Sequence, residues 1–299
     1  MYISSFVTIL AASSTIQAFQ LSDVKAAVGD VTRSDQCAVW KNISSTLTEQ
    51  FLGSDGQCTD AARAAIRSSF HDCFNGACDG SLILANECSN TENIGLAKLC
   101  SNLGPLATQK NVSTADLIQF AAAHAIKTCP GGPTVPFKFG RKDSYTANAL
   151  GVLPSGNISA IDAISLFAQR GFSAIDLAAL IGAHTAAKQF VSIPAQSGQS
   201  LDSTPGQWDN KYYSETIAGK APVTLQSDTN LANNLVTKVP FVSFAASQAA
   251  WSVAFVPAMT KMSMIGVSGV KLTDCTSALP GGSSKRDVKR APLLQWWKS

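Results

Sequence analysis

Ile66-Arg67-Ser68-Ser69-Phe70-His71-Asp72-Cys73-Phe74 closes an alanine-rich run, Asp60–Phe74, that reads as an α-helix. Arg67 and His71 stand four residues apart, so a helix puts their side chains on one face. A general base beside a fixed cation suits cleavage of an O–O bond. The base takes the proton from one peroxide oxygen and returns it to the other, while the guanidinium meets the negative charge that develops. For this pair alone, the plainer alternative is a surface arginine beside a structural histidine.

Immediately downstream, Asp72-Cys-Phe-Asn-Gly-Ala-Cys-Asp-Gly-Ser81 gathers Asp72, Asp79 and Ser81 in a tight loop that a Cys73–Cys78 bridge can close. Calcium takes about six to eight oxygens from such loops, backbone carbonyls included. The alternative, a polar turn, has no need of acids at these spacings.

Of the three histidines, His184 lies in the apolar stretch Leu177-Ala-Ala-Leu-Ile-Gly-Ala-His-Thr. It reads either as a satisfied core histidine or as an imidazole offered from a dry wall to a haem iron. The second role needs an acceptor on the other ring nitrogen. Thr185 and the loop Leu201–Asp209 offer another oxygen shell through Asp202, Thr204 and Asp209, or else an acidic turn that starts a helix at Asp209. His124, among alanines, has no such neighbours and reads as a packed or half-exposed helix residue.

Around these motifs the pattern is helical. Ala38–Phe51, Asp60–Phe74, Thr114–Lys127 behind the N-cap Ser113 with Asp116 three residues on, Ala160–Gln169 before Gly171, Ala174–Phe190 after Ser173, Asp228–Val236 and Phe241–Met264 all read as helices. Thr134–Phe139 is the best strand candidate. The chain is therefore expected to be mainly α-helical.

The 299 residues carry a net charge of +3, too small to imply a nucleic-acid partner. An apolar stretch of roughly ten residues in Met1–Ala18 has the length of a secretory leader, cut near Ala18, rather than a membrane span. A frayed helix is the alternative. All eight cysteines follow that point, which with export reads as four disulfides. Sequons at Asn42, Asn111 and Asn157 agree with secretion. The chain divides into a leader (1–18), one domain (19–280) and a flexible basic tail (281–299) with dibasic pairs Lys285-Arg286 and Lys289-Arg290. Nothing signals a membrane anchor or an oligomer, so a monomer is expected.

Taken together, Arg67-x-x-Phe70-His71-Asp72, Gly182-Ala-His184-Thr185, Asp202-Ser-Thr-Pro-Gly-x-x-Asp209, Leu225-Gln-Ser-Asp228 and Leu272-Thr-Asp-Cys275 resemble the plant–fungal haem peroxidase superfamily over about Cys37 to Cys275, with most likeness to its fungal secreted branch. The resemblance implies two helical lobes with haem b between them. It implies catalytic Arg67 and His71, with Asn93 on the second nitrogen of His71 and Glu87 as the acidic partner of that asparagine. It gives His184 as iron ligand tethered by Asp228, and Phe70 beside the haem. It implies two calcium ions, one on Asp72, Asn75, Ala77, Asp79 and Ser81, with Asn75 and Ala77 using carbonyls. The other falls to Thr185, Asp202, Thr204, Gln207 and Asp209. It suggests bridges Cys37–Cys275, Cys58–Cys129 and Cys88–Cys100.

Hydrogen peroxide and small aromatic donors, phenols or dyes oxidised at the haem edge, are the expected partners. Ligninolytic relatives place an oxidisable tryptophan five residues before the proximal histidine, where this chain has Ala179. Manganese-oxidising relatives use three carboxylates, and the matching positions are Asp60, Ala64 and Phe190. The rival that keeps the fold is a haem-free, calcium-bound interaction protein. A hydrolase lacks its motifs here, and a cysteine-framed binding module leaves both histidine constellations unexplained.

Overall fold

The computed structural model describes residues 36–281. The leader and the tail's dibasic pairs lie outside the described residues. Within them the chain forms eleven α-helices and one two-stranded ribbon.

The first lobe is built from α1 (Ala38–Phe51), α2 (Asp60–Phe74), a short α3 (Ser81–Leu84), α4 (Ala97–Lys110) and α5 (Thr114–Thr128). Helix α5 is buried almost all round, and α1, α2 and α4 pack on its faces. Its alanines let α2 approach closely. Ser113 caps it as expected, accepting from Asp116 N, but the Asp116 side chain does not close the cap. Asp143 does so instead, accepting from Ser113 Oγ, Thr114 N and Ala115 N at 2.8–3.1 Å. Asp116 is pulled inward to a buried pair with Arg141 at 2.8 Å.

The second lobe holds α6 (Ala160–Ala168), α7 (Ala174–Ile181), α8 (Lys211–Ala218), α9 (Gln226–Asn233), α10 (Lys238–Ala246) and α11 (Gln248–Met262). Helix α6 closes where Gly171 takes φ 80°, with Phe172 N on Phe167 O at 3.0 Å, and the absence of a Cβ makes that conformation cheap. A full capping box between Ser173 and Asp176 opens α7.

Three sequence expectations change here. The helix expected over Ala174–Phe190 ends at Ile181 and tightens into a 3₁₀ turn, Gly182–Ala186, which carries His184. It stops because Thr185 turns to Asp202 and Lys188 pairs with Ser200 across a bridge. The helix expected over Phe241–Met264 is two, broken at Ser247, whose extended backbone frees its hydroxyl to cap α11. The strand candidate shrinks to β1 (Lys138–Phe139), antiparallel to β2 (Thr273–Asp274). Helix α4 gave no sequence signal, because Gly104 and Pro105 interrupt it; Pro105 removes only the bond to the carbonyl of Ser101, an exposed residue that water can serve.

All four disulfides form: Cys37–Cys275, Cys58–Cys129, Cys73–Cys78 and Cys88–Cys100. Each lobe has an aromatic core. Trp40 packs on Phe120 and Phe137 in the first, and Trp208 stacks on Trp251 in the second.

Candidate active site

Helix α2 presents Arg67, Phe70 and His71 one turn apart. His71 is buried, and its Nδ1 meets Asn93 Oδ1 at 2.6 Å. Asn93 donates its amide to Glu87 O at 2.7 Å, which turns its Oδ1 toward the ring. An oxygen there requires the proton on Nδ1, so Nε2 keeps a lone pair. Arg67 Nε donates to that nitrogen at 2.9 Å, and its Nη1 and Nη2 hold Ile94 O and Glu92 O at 2.6 and 2.8 Å. Burial, then the Arg67 charge, pushes the His71 pKa down to about 3 against the pull of Asn93. Burial lowers Arg67 to about 10, which leaves it charged at neutral pH. A neutral base and a fixed cation thus stand in contact, as the spacing anticipates. Phe70, half-buried, stacks on Phe74 at 4.8 Å.

Glu87 differs from expectation. It serves Asn93 through its main-chain oxygen, while its carboxylate accepts from Asn148 N and Nδ2 at 2.8 and 3.2 Å. Asn148 also donates to Ser81 Oγ at 2.8 Å, tying the base's support to the oxygen-rich loop. Nothing in the sequence marks Asn148, which lies between elements far from both partners.

In the second lobe His184 Nδ1 meets Asp228 Oδ1 at 3.2 Å. Asp228 is fully buried in the first turn of α9, and its Oδ2 has no partner. The His184 ring is 31 % exposed and crosses Tyr212 edge-on at 5.7 Å. No protein group among the described residues bonds its Nε2.

The two oxygen-rich loops are assembled. In the first, Asp72 accepts from Gly80 N and Leu82 N, and Asp79 from Ser81 N, at 3.1–3.3 Å. The Asn75 amide is buried without partners, and neither the Asn75 nor the Ala77 carbonyl accepts a backbone bond. Burial, with Asp79 and Glu87 nearby, raises Asp72 to about 8. In the second, Thr185 Oγ1 bonds Asp202 Oδ2 at 2.6 Å and Thr204 Oγ1 bonds Asp209 Oδ2 at 2.9 Å. Gln207 joins them through the backbone, its N–H on Thr204 O at 2.9 Å. Burial is also the main cause that raises Asp202 to about 6. No cluster of three or more His, Cys, Asp or Glu side chains stands in metal-binding geometry among the described residues.

His124 is a satisfied core residue, bonded to Ser44 O at 2.9 Å and near both Thr48 and Thr128 hydroxyls. Ala179 is buried, and Asp60 is taken by Lys188 at 2.9 Å and Arg63 at 2.6 Å, a pairing the sequence did not announce.

Gly182, just before Ala183 and His184, has no room for a side chain: a Cβ there would lie 2.2 Å from Tyr213 Oη and 2.6 Å from Trp251 Nε1. Gly182→Ala is expected to destabilise the fold by about 1–3 kcal/mol, the usual range for overpacking, read from the denaturation midpoint.

A family pattern described as peroxidase matches residues 39–247. A low-redox potential peroxidase of Taiwanofungus camphoratus is 30 % identical, covering 89 % of this chain and 88 % of its own length. Manganese peroxidase 3 of Phlebia radiata is 28 % identical over 82 % and 80 %, and a versatile peroxidase of Pleurotus eryngii 27 % over 86 % and 78 %. With that pattern spread over most of the sequence and both lobes folded around the two histidine constellations, the chain belongs to the peroxidase family, as a haem peroxidase akin to the fungal enzymes.

Proposed function

We propose that the enzyme reduces hydrogen peroxide and oxidises small aromatic donors, phenols or dyes, at the edge of haem b held between its lobes. The observation that carries this reading is the setting of His71: Asn93 Oδ1 at 2.6 Å from Nδ1 favours the proton there, which leaves Nε2 as the basic nitrogen, in contact with Arg67.

The residues fit the cofactor. His184 offers an unbonded Nε2 from a partly exposed ring, while buried Asp228 accepts from its other nitrogen, as an iron ligand requires. When bound, the haem supplies the redox chemistry. The chain supplies the rest. His71 Nε2 takes a proton from the near peroxide oxygen and delivers it to the far one, which departs as water. Arg67, held by two carbonyls, keeps its charge beside that transfer. Asn93 holds the ring, and Phe70 supplies an apolar wall.

The donor class rests on what replaces the alternatives. Lys188 puts an ammonium on Asp60, where a divalent metal would need anionic neighbours, and a buried alanine fills position 179. Ile94 and Phe190 are exposed apolar side chains on either side of Gly95, close to Arg67, and suit aromatic molecules.

Two calcium ions fit the oxygen-rich loops, on Asp72, Asn75, Ala77, Asp79 and Ser81, and on Thr185, Asp202, Thr204, Gln207 and Asp209. Buried Asp72 and the unserved carbonyls of Asn75 and Ala77 support the first. Without a cation, Asp72 binds its proton more tightly folded (about 8) than in the ordinary carboxylate range. The folded state then holds more protons than the unfolded state, so stability falls as pH rises between about 4 and that value. The calcium-free protein is expected to melt at a higher temperature at pH 6 than at pH 8, and added calcium to narrow that gap. Equal melting temperatures without calcium would count against the site.

Four disulfides, three exposed sequon asparagines and the N-terminal leader support a secreted glycoprotein. No described helix is long and apolar enough to cross a membrane. The reading takes one domain over 19–280 working as a monomer, and the small net charge accords with the absence of a nucleic-acid partner.

The test is an absorption spectrum of the haem-reconstituted protein before and after one equivalent of peroxide. A haem band that changes with peroxide, and is absent from His184→Ala, supports the reading. A folded, calcium-loaded protein that takes up no haem leaves the haem-free interaction protein as the better account.

A further inference from the structure

Between β1 and α6 the chain runs through a long loop that the first lobe holds at several points. Asp143 accepts from Ser113 Oγ, Thr114 N and Ala115 N, Ser144 N donates to Asp79 O at 2.9 Å, and Asn148 N donates to Glu87 Oε1 at 2.8 Å. From the middle of this anchored stretch Tyr145 stands 75 % exposed. Its neighbours in Ser144-Tyr145-Thr146-Ala147-Asn148-Ala149 are small, so no bulky side chain of the stretch shields the ring. Leu150, the next large residue, is itself 66 % exposed.

The other tyrosines stand differently. Tyr212 and Tyr213 are fully buried in the second lobe, and Tyr2 lies outside the described residues. Tyr145 is therefore the one phenol among the described residues that another protein can touch. The loop also borders the candidate site. Gly151 N donates to Glu92 Oε2 at 3.2 Å, and the main-chain oxygen of the same glutamate holds Arg67.

We propose that Tyr145 is a coupling site for the enzyme's own chemistry: in peroxide without a small phenol, two copies of the chain are joined ring to ring through Tyr145 into a covalent dimer. The inference rests on the donor class proposed above, because Tyr145 is a phenol carried by a protein.

The step balances. Each Tyr145 loses one electron and one proton and becomes a phenoxyl radical. Two such rings form one C–C bond at the carbons next to those that carry oxygen. The hydrogen on each joined carbon then moves, through water, to the oxygen of its own ring, and both hydroxyls are restored. The two side chains have lost two hydrogens between them. One hydrogen peroxide takes up those two protons and two electrons and gives two waters.

The placement limits the product. A copy that has used Tyr145 offers no second reachable phenol among its described residues, so growth stops at two chains. Charge does little to oppose the encounter, since Lys142 and Asp143 put both signs beside Tyr145 and the net charge of each chain is only +3. Tyr145 is no part of the set Arg67, His71, Asn93 and His184, so the dimer keeps its activity. A small phenol in excess is oxidised in place of a folded neighbour and holds the chain monomeric.

The experiment treats haem-loaded protein with a few equivalents of peroxide and no donor, then reads a reducing, denaturing gel and the mass of proteolytic peptides. The protein is first trimmed with an endoglycosidase, because the sequon at Asn111 lies two residues from Ser113, which bonds this loop. The expected product is a band of twice the chain mass with the blue fluorescence of joined tyrosines. Its cross-linked peptide contains Tyr145 twice and is two hydrogens lighter than the sum of its parts. Tyr145→Phe should lose the band and oxidise a small phenol at the wild-type rate, and excess phenol should suppress the band in the wild type. A ruthenium photo-oxidant with persulfate, applied to haem-free protein, should give the same linkage, since it reads reachability alone. A protein that oxidises free phenol yet stays monomeric, a dimer that persists in Tyr145→Phe, or a photo-oxidant linkage at another residue overturns the coupling site and leaves the peroxidase reading standing. A haem-loaded protein that oxidises neither free phenol nor itself overturns both.

Discussion

His71→Leu is expected to bind haem normally and to react with peroxide about 10²–10⁴-fold more slowly, the range that positioned proton transfer contributes. Leucine fills most of the same buried space, so α2 keeps its packing. Arg67 keeps its bonds to Ile94 O and Glu92 O and loses only the one to Nε2. What disappears is the acceptor for the first peroxide proton. The pH profile separates this loss from a structural one. In the wild type His71 stays neutral down to about 3, because burial opposes its charge, so its share of the rate holds from neutrality into acid and fails only as pH drops through that value. The variant should show no such limb. Stopped-flow measurement of the haem band decides it, and a variant rate within a factor of a few of wild type would remove His71 from the proposed role.

The second large effect lies away from the histidines. Arg141→Met should destabilise the protein by about 3–5 kcal/mol, because it leaves a buried carboxylate without its counter-charge. Asp116 also accepts from Gly140 N at 2.7 Å and Arg141 N at 3.2 Å, so some stabilisation survives. Burial already pushes the Asp116 carboxyl above its ordinary range, and removing the guanidinium, which lowers it, pushes it further. A carboxyl with a raised folded pKa binds more protons folded than unfolded, so the variant recovers stability as pH falls toward that raised value. Unfolding of both proteins at pH 7 and pH 5 should show the gap shrinking at the lower pH. A gap that widens would mean that Asp116 is not the stressed group.

How legible these features were depends on how local their causes are. Helices α1 and α2 begin and end where the sequence indicated: periodic apolar residues mark α1, and the Thr59 cap opens α2. Asp116 looked like a capping partner because it stands three residues after Ser113, yet distant Arg141 claims it and Asp143 takes its place. The early end of α7 likewise follows from Asp202 and Ser200, which no window around His184 contains. At the site, Arg67 and His71 could be read from their spacing, whereas Asn93 and Asp228 needed the family resemblance, because a short turn and a helix 44 positions beyond His184 deliver them. Asn148 and Lys188 were missed by both routes: their partners come together only once the lobes have folded.

The bridge between Cys37 and Cys275 spans 238 positions of sequence, and it has a consequence for the order of events at the ribosome. Cys58, Cys73, Cys78, Cys88, Cys100 and Cys129 emerge early and can pair among themselves while synthesis continues. Cys37 emerges before all of them and waits longest, a free thiol on a partly folded nascent chain until Cys275 is made. Local pairing of Cys73 with Cys78 takes one neighbour out of competition, and the β1–β2 ribbon then brings Cys275 to its buried place beside Cys37 at the start of α1. In the chain-entropy model a loop this long contributes about 5 kcal/mol. That stabilisation reaches the protein only once Cys275 has been made, so the long wait of Cys37 is the interval in which mispairing with the earlier cysteines is most open.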